Sequence, residues 1–173
     1  LDSVVKGVPG YEEIPMLGEY KTHSEKSFTK LVQLGVKSSK PEHWTQMNQY
    51  MGHYKLTHAL YLAVNKNNDE LYAEIVEFDE EEFKLDVTLA LTISHSNRLP
   101  AKINNSPSFW LCKYCDFMDI CHKKAPVKKT CRTCKHVTMQ EGGSWSCSIQ
   151  NGLILDKEMQ YNGCGKYIKL EEL

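Results

Sequence analysis

The sequence predicts an α/β protein with two strand pairs separated by a helix, followed by a small cysteine-rich module held together by metal. Three observations indicate this architecture. Apolar stretches of strand length, bounded by turn residues, lie on both sides of residues 41–57, where apolar residues recur with helical spacing. All seven cysteines lie between Cys112 and Cys164. At 173 residues, the chain is long enough for one substantial core and one small additional module.

The first strand pair is predicted over residues 1–22, where Pro9-Gly10 marks the turn. The second strand of the pair carries Glu19, Tyr20 and Lys21. Because side chains alternate between the two faces of a strand, Glu19 and Lys21 are expected on one face and Tyr20 on the other.

A polar, lysine-containing segment comes next, and residues 24–32 within it predict a short helix or an ordered loop. A longer helix is predicted over residues 41–57, since proline is well suited to the first turn and Pro41 stands there. Its predicted buried stripe, at helical spacing, consists of Trp44, Met47, Met51 and Tyr54.

The second strand pair is predicted over residues 58–64 and 70–78, joined by a turn. In the latter strand the alternating Leu71, Ala73 and Ile75 and, after Val76, Phe78 are typical of a half-buried strand. Asp79 is expected to cap a helix that begins at Glu80, with a linker over residues 96–107. The residues expected to form the apolar surface of this helix are Phe83, Val87, Leu89, Leu91 and Ile93.

Two carboxylates and one ammonium group are expected to converge on the first strand pair. If Asp2 lies beside the strand that carries Glu19 and Lys21, the carboxylates can hold Mg²⁺ or Mn²⁺. The Lys21 ammonium can then orient an attacking water or neutralise charge that builds up on a phosphate. The alternative is an amphipathic hairpin whose charged side chains are simply solvated.

The composition excludes some classes of protein. The net charge of −1 gives no global basic character, so any contact with nucleic acid must come from a local patch. No apolar run approaches the length of a membrane span, and no signal peptide is visible. Paired Cys-x-x-Cys spacings confined to the last third favour metal binding in a reducing compartment, and we expect a cytoplasmic protein of a bacterial or phage-infected cell. The first residues, Leu1-Asp2, are not a natural initiator, which predicts missing upstream sequence.

Asp2 followed by Glu19-x-Lys21 resembles the motif of the PD-(D/E)xK nucleases. The helix that carries Gln46-x-x-x-Tyr50 makes the similarity closer to the RecB-like branch, which includes phage exonucleases and CRISPR-adaptation exonucleases. The resemblance implies that Asp2, Glu19 and the Tyr20 carbonyl bind the catalytic Mg²⁺ or Mn²⁺. It also implies that Gln46 and Tyr50 fix the DNA strand, whereas an ordinary helix would carry them as boundary residues. Gln49 and His53, at the same spacing, are weaker candidates. The family's first helix and strand, which precede the aspartate strand, are absent from this chain.

Cys112, Cys115 and Cys121, with the spacing C-x2-C-x5-C, form the first cysteine cluster. Thiolates at C-x2-C bind one soft metal centre from a tight turn. RecB-like nucleases with an iron–sulfur cluster have a similar triplet, which implies a 4Fe-4S cluster here with its fourth ligand upstream of this chain. The alternatives are zinc with His122 as the fourth ligand, or free structural cysteines.

A complete set of four thiolates follows the first cluster, with turn residues near the ligands. A module of about forty residues is too small to fold without metal, so this pattern predicts a zinc ribbon-like module, against a disulfide or iron interpretation. The predicted ligands are Cys131, Cys134, Cys147 and Cys164.

The densest basic segment of the chain runs between the two cysteine clusters and into the second. Beside a nuclease cleft, these charges would hold the DNA backbone; otherwise they form a solvated linker. The segment contains Lys123, Lys124, Lys128, Lys129 and Arg132.

Taken together, the motifs predict a nuclease core over residues 1–125, with the first cysteine cluster in residues 108–122, and a zinc ribbon-like module over residues 126–173. The expected activity is metal-dependent hydrolysis of DNA phosphodiester bonds, most similar to phage-type exonucleases of recombination or repair, with DNA ends and recombination proteins as partners. The alternative is a nucleic-acid-binding or assembly protein that keeps the nuclease fold without activity.

Overall fold

The computed structural model describes residues 2–96 and 101–170. The predictions for Leu1, for residues 97–100 of the linker and for residues 171–173 of the module lie outside the described residues. The chain divides into two compact units, Leu1–Thr88 and Leu89–Leu173. The predicted boundary between residues 125 and 126 lies inside the second unit.

Four strands of the first unit form one mixed sheet in the order β1-β2-β3-β4. The strands β1 and β2 are antiparallel, as are β3 and β4, while β2 and β3 are parallel. Both predicted strand pairs are therefore present in one sheet, and the α/β class is confirmed. The strands are β1 (Ser3–Val5), β2 (Met16–His23), β3 (His58–Asn65) and β4 (Leu71–Glu77).

Two helices make the connection that the parallel pair β2 and β3 requires. The first, α1 (Glu25–Ser39), is longer than the predicted short helix and is interrupted at Gly35, whose φ is 71°. The interruption leaves the backbone N–H of Val36 without a helical partner, and the Glu74 carboxylate accepts it at 2.8 Å. The second, α2 (Pro41–Tyr54), begins at the predicted proline.

The hydrophobic core of this unit lies between the two helices and one face of the sheet. Trp44, Met47 and Met51 of α2 are buried as predicted, whereas Tyr54 is 60% exposed. Every second residue of β3, from Ala59 to Asn65, is also buried. The other core residues are Leu17, Phe28, Leu31, Val36 and Val76.

The buried face of β4 is opposite to the predicted one. Pairing with β3 sets Val76 beside Ala59 on the helix side, and Leu71 is left 69% exposed. Strand β4 has apolar residues on both faces, so its alternation alone does not select the core face.

The helix predicted after β4 is present as α3 (Glu80–His95), and Asp79 caps it by accepting the Glu82 N–H at 3.1 Å. Of its predicted apolar surface, Phe83 and Val87 are half-buried, and Phe83 packs against Phe78 and His53. The other three predicted residues are exposed, so that part of the prediction is wrong. Leu89, Leu91 and Ile93 are two residues apart, a spacing that spreads side chains around a helix. Among the described helices, none combines the length and apolar character needed to cross a membrane.

The second unit contains short elements around the cysteines. Of the first cluster, Cys112 lies on α4 (Trp110–Lys113) and Cys121 on α5 (Met118–Lys123), while Cys115 lies between the two helices. After it, a three-stranded antiparallel sheet is formed by β5 (Val137–Met139), β6 (Trp145–Cys147) and β7 (Leu153–Leu155), followed by α6 (Lys157–Asn162). Asp156 caps α6 by accepting the Met159 N–H at 2.8 Å.

Candidate active site and cysteine clusters

Glu19 and Lys21 project from the same face of β2, as predicted, and their side chains form an ion pair. The face is the one that α1 and α2 cover, because Glu19 pairs in register with the buried Tyr61 of β3. The Glu19 side chain is 1% exposed and the Lys21 side chain 27% exposed. Thus a carboxylate lies inside the protein, and its ammonium partner lies between the interior and solvent.

Both carboxylate oxygens of Glu19 are buried, and neither has a hydrogen-bond partner among the described residues. The contact of Glu19 with Lys21 is an ion pair. A buried carboxylate is normally hydrogen-bonded as well as paired, because desolvation of a charge costs several kcal/mol. The donor chemistry at Glu19 therefore fits a hard divalent cation, which prefers carboxylate oxygen.

Asp2 is exposed, and its carboxylate accepts the backbone N–H of Tyr20 at 3.1 Å. This contact brings Asp2 to the stretch that carries Glu19 and Lys21, where the sequence places it. In a strand, the N–H and C=O of one residue point to the same edge. The Tyr20 carbonyl, the predicted third metal ligand, therefore faces the same edge as Asp2. The Tyr20 side chain lies on the other face, where its hydroxyl contacts Ser3 Oγ at 2.9 Å.

Gln46 and Tyr50 lie one turn apart on α2, and the Gln46 side-chain amide donates to the Tyr50 hydroxyl at 3.4 Å. Tyr50 is half-buried against the core, and Gln46 is exposed. The weaker candidates have structural contacts with α3 instead: Gln49 donates to Asp86 at 3.0 Å, and the His53 ring packs edge-on against Phe83.

A polar network that was not predicted lies beside the ion pair of Glu19 and Lys21. The hydroxyl of Tyr61, a fully buried residue, is 2.9 Å from His23 Nε2 and 2.9 Å from His43 Nδ1. His43 lies three residues before Gln46, and His23 lies two residues after Lys21. Helix and strand periodicity therefore predict that each histidine shares a face with a candidate site residue. Tyr61 has no such signal, because only the pairing of β2 with β3 brings it beside Glu19.

The two histidines are held in the neutral form. Burial, and next the positive charge of Lys40, lower the pKa of His23. Burial also lowers the pKa of His43; Glu42 opposes this effect, and the ammonium groups of Lys21 and Lys40 reinforce it. Burial, and next the Glu19 carboxylate, raise the pKa of Tyr61, so its hydroxyl keeps its proton.

These shifts predict a pH dependence of stability. Below about pH 6.5, the unfolded chain binds protons on His23 and His43 that the folded protein does not bind, so the free energy of unfolding should fall as the pH falls through this region. Urea unfolding between about pH 7.5 and about pH 5 measures the slope. His43→Gln should make it shallower, whereas His53→Gln, at an exposed position of α2, should not. Equal slopes in the two variants would contradict the prediction.

In the second unit, the predicted zinc ligands share one neighbourhood. The pKa of Cys131 is raised by burial and next by the charge of the three other cysteines of the set. Mutual repulsion among thiolates is what a bound cation relieves, so the donor chemistry fits zinc. In residues 2–96 and 101–170, however, no three His, Cys, Asp or Glu side chains are already gathered closely enough to enclose a metal ion.

A buried imidazole nitrogen next to the first cysteine cluster in the sequence has no hydrogen-bond partner in the described residues. This nitrogen is His122 Nε2. Cys112 is buried, Cys121 is half-buried and Cys115 is exposed. A buried imidazole nitrogen that follows Cys121 in the sequence is chemically suited to bind zinc. The choice between zinc with His122 and a 4Fe-4S cluster stays a prediction.

The lysines of the predicted DNA-binding segment are exposed, but some of its charges have partners. Lys123 forms an ion pair with Asp119 at 2.8 Å. The Arg132 guanidinium lies over the Tyr161 ring at 4.3 Å from its centroid, and it also donates to Gln160 at 3.3 Å. Lys124, Lys128 and Lys129 have no ion pair among the described residues and remain the candidates for contact with phosphate.

In comparisons with known proteins, the chain matches no family model, no curated protein and no solved structure. Function is therefore inferred from this chain's own residues.

Proposed function

We propose that this protein is a Mg²⁺- or Mn²⁺-dependent deoxyribonuclease with a PD-(D/E)xK core of the RecB-like kind. The observation that carries the proposal is the Glu19 carboxylate, which is buried, paired with Lys21 and without a hydrogen-bond partner in the described part of the chain. The hydrogen bond that the Tyr20 N–H donates to the Asp2 carboxylate supports the proposal further. The sheet is consistent with such a core, because an antiparallel strand pair leads through a helical connection to a parallel strand.

The roles of the residues follow from their chemistry. Glu19, Asp2 and the Tyr20 carbonyl would hold the metal ion. When bound, the metal supplies Lewis acidity and makes a coordinated water more acidic. The Lys21 ammonium, at the border of the buried region, would orient the attacking water and stabilise negative charge on the phosphate.

Gln46 and Tyr50 would position the substrate strand. An amide and a phenol hydroxyl on one face of α2 can both donate to phosphate oxygens, contacts that fix a strand without reading its sequence. Three lysines of the second unit would add contacts with DNA phosphates, and these contacts weaken as the salt concentration rises. They are Lys124, Lys128 and Lys129. Exonucleolytic action on DNA ends, in recombination or repair, is the activity of the family that the motifs resemble.

Cleavage of end-labelled linear DNA tests the proposal. The wild-type protein with Mn²⁺ should cleave single- or double-stranded substrate, and Lys21→Met should lower the rate by about 10²- to 10³-fold, because a group that stabilises charge in the transition state is lost. Lys84→Met is the matched control, since Lys84 pairs with Glu80 on the surface of α3 and both side chains are about two-thirds exposed. Its rate should equal that of the wild type.

Comparison with DNA binding separates the proposal from its alternative. If the wild-type protein binds DNA but does not cleave it with any divalent metal, the protein is a binding or assembly protein. Cleavage that persists at the wild-type rate in Lys21→Met would also overturn the proposed mechanism.

A further inference from the structure

The hydrogen bonds around Tyr61 form a chain that starts at a cation. Lys40 Nζ donates to Ser27 Oγ at 2.7 Å, and Ser27 Oγ lies 3.4 Å from His23 Nδ1. The His23 and His43 rings are stacked with centroids 5.8 Å apart, and the Tyr61 hydroxyl connects them. Lys40 and Ser27 lie on the helical side of this connection, and His23 and Tyr61 on adjacent strands.

The charges at both ends favour one direction for the protons in this chain. An ammonium group has only donors, so Ser27 Oγ accepts from Lys40 and its own proton is available to His23 Nδ1. The positive charge beyond Ser27 likewise favours a lone pair on that nitrogen. Neutral His23 then carries its proton on Nε2 and donates to Tyr61. The single hydroxyl proton of Tyr61 in turn goes to His43 Nδ1, which leaves the His43 proton on Nε2.

The surroundings of His43, at the other end of the hydrogen-bond chain, favour the same arrangement of protons. His43 Nε2 lies 3.9 Å from a carboxylate oxygen of Glu42, too far for a hydrogen bond but close enough for the negative charge to favour a proton on that nitrogen. The His43 side chain is 20% exposed. The chain therefore ends in an N–H donor that retains access to solvent.

The position of this donor connects it with the proposed site. His43, Gln46 and Tyr50 follow each other at spacings of three and four residues, so they lie along one face of α2. Tyr61, whose hydroxyl lies 2.9 Å from His43 Nδ1, pairs in register with Glu19 of β2. The ammonium groups of Lys21 and Lys40 favour an anionic acceptor at this position, whereas the Glu42 carboxylate, 3.9 Å from Nε2, opposes one. A hydrogen bond to an anion is about twice as strong as one between neutral groups.

We propose that His43 is a further substrate-binding residue, whose Nε2–H is fixed as a donor by Lys40, Ser27, His23 and Tyr61 and binds a phosphate oxygen of the DNA strand. The inference rests on the proposed function, and it adds a phosphate contact at the start of α2 to those of Gln46 and Tyr50. Tyr61 acts as a positioning residue through His43 and does not touch the DNA.

Two-bond ¹⁵N–¹H correlation spectra at neutral pH test the tautomers directly. We expect His23 and His43 of the wild-type protein to carry the proton on Nε2. In Tyr61→Phe, which keeps the ring and removes the hydroxyl, the His43 signals should shift toward a mixture of tautomers. A wild-type His43 that carries its proton on Nδ1 would overturn the proposal whatever the enzymatic activity.

Binding with Ca²⁺ in place of the catalytic metal tests the contact itself. The probe is a short fluorescein-labelled oligodeoxynucleotide, followed by anisotropy. His43→Leu should raise the Kd about tenfold, the expected loss for one hydrogen bond to a charged group. His43→Gln, whose amide offers a donor, should restore part of the affinity, and His53→Leu on the same helix should bind as the wild type does. Thermal unfolding confirms that each variant is folded.

The same variants, assayed for cleavage with Mn²⁺, distinguish the two levels of inference. Wild-type cleavage with unchanged binding in His43→Leu would overturn the role of His43 and leave the nuclease intact. Binding that depends on His43, without cleavage in the wild type, would overturn the nuclease and keep the phosphate contact. If the wild type neither binds nor cleaves DNA, both are wrong.

Discussion

Lys21→Met is expected to destabilise the metal-free protein by about 3 kcal/mol, the lower end of the range for orphaning one member of a buried ion pair, because part of Lys21 is exposed. The variant leaves Glu19, 1% exposed, without its ionic partner and without a hydrogen bond. Adding Glu19→Gln should recover most of the loss, since the double variant no longer buries a charge. Urea unfolding of the two single variants and the double variant measures the coupling free energy.

The metal connects this prediction with function. Mn²⁺ should raise the Tm of the wild-type protein by mass action, since a ligand that binds only the folded state stabilises it. In Glu19→Gln the increase should disappear, because the neutral amide is a poor ligand for a hard cation.

The control for the stability measurement is Lys84→Met, which breaks an exposed pair on α3 and should change stability by less than about 1 kcal/mol. If Lys21→Met lowers the free energy of unfolding by no more than Lys84→Met does, the Glu19 carboxylate is solvated. The same conclusion follows if Mn²⁺ raises the Tm of Glu19→Gln as much as that of the wild type. Either outcome would remove the foundation of the proposed metal site.

Removal of zinc is expected to unfold the module formed by β5, β6, β7 and α6. Its strands are three residues long, and few of its apolar residues are buried, so packing alone cannot hold it. Structural zinc contributes about 10–16 kcal/mol of binding free energy in small metal-folded domains. A chelator should therefore collapse the amide resonances of β5 to β7 in the full chain, and zinc should restore them.

Single substitutions assign the metals to the cysteine clusters. Cys147→Ser should lose the zinc of the second cluster together with the folded module. Cys115→Ser, which removes an exposed cysteine of the first cluster, should keep that zinc and the folded module. Visible iron–sulfur absorbance in the wild type would assign the first cluster to iron, and a colourless protein with two zinc ions would assign it to Cys112, Cys115, Cys121 and His122. Resonances that stay dispersed after chelation would contradict the requirement for zinc.

Much of the local structure was predictable because it depends on short-range chemistry. Strand alternation places Glu19 and Lys21 on one face, and the structure joins them in an ion pair. Proline at the first turn of α2 and the side chain of Asp79 before α3 mark the starts of two helices. The paired C-x2-C spacings define the cysteine clusters, but they do not decide which metal each cluster takes.

Other features depend on which strand pairs with which, and the sequence by itself does not determine them. The strand β4 has apolar residues on both faces, and its register against β3 buries Val76 and exposes Leu71. Tyr61 meets His23 and His43 because β3 pairs in parallel with β2 beneath α2. Periodicity predicts which side chains share a face within one element. Contacts between residues far apart in the chain arise only from packing, and packing created the network beside Glu19.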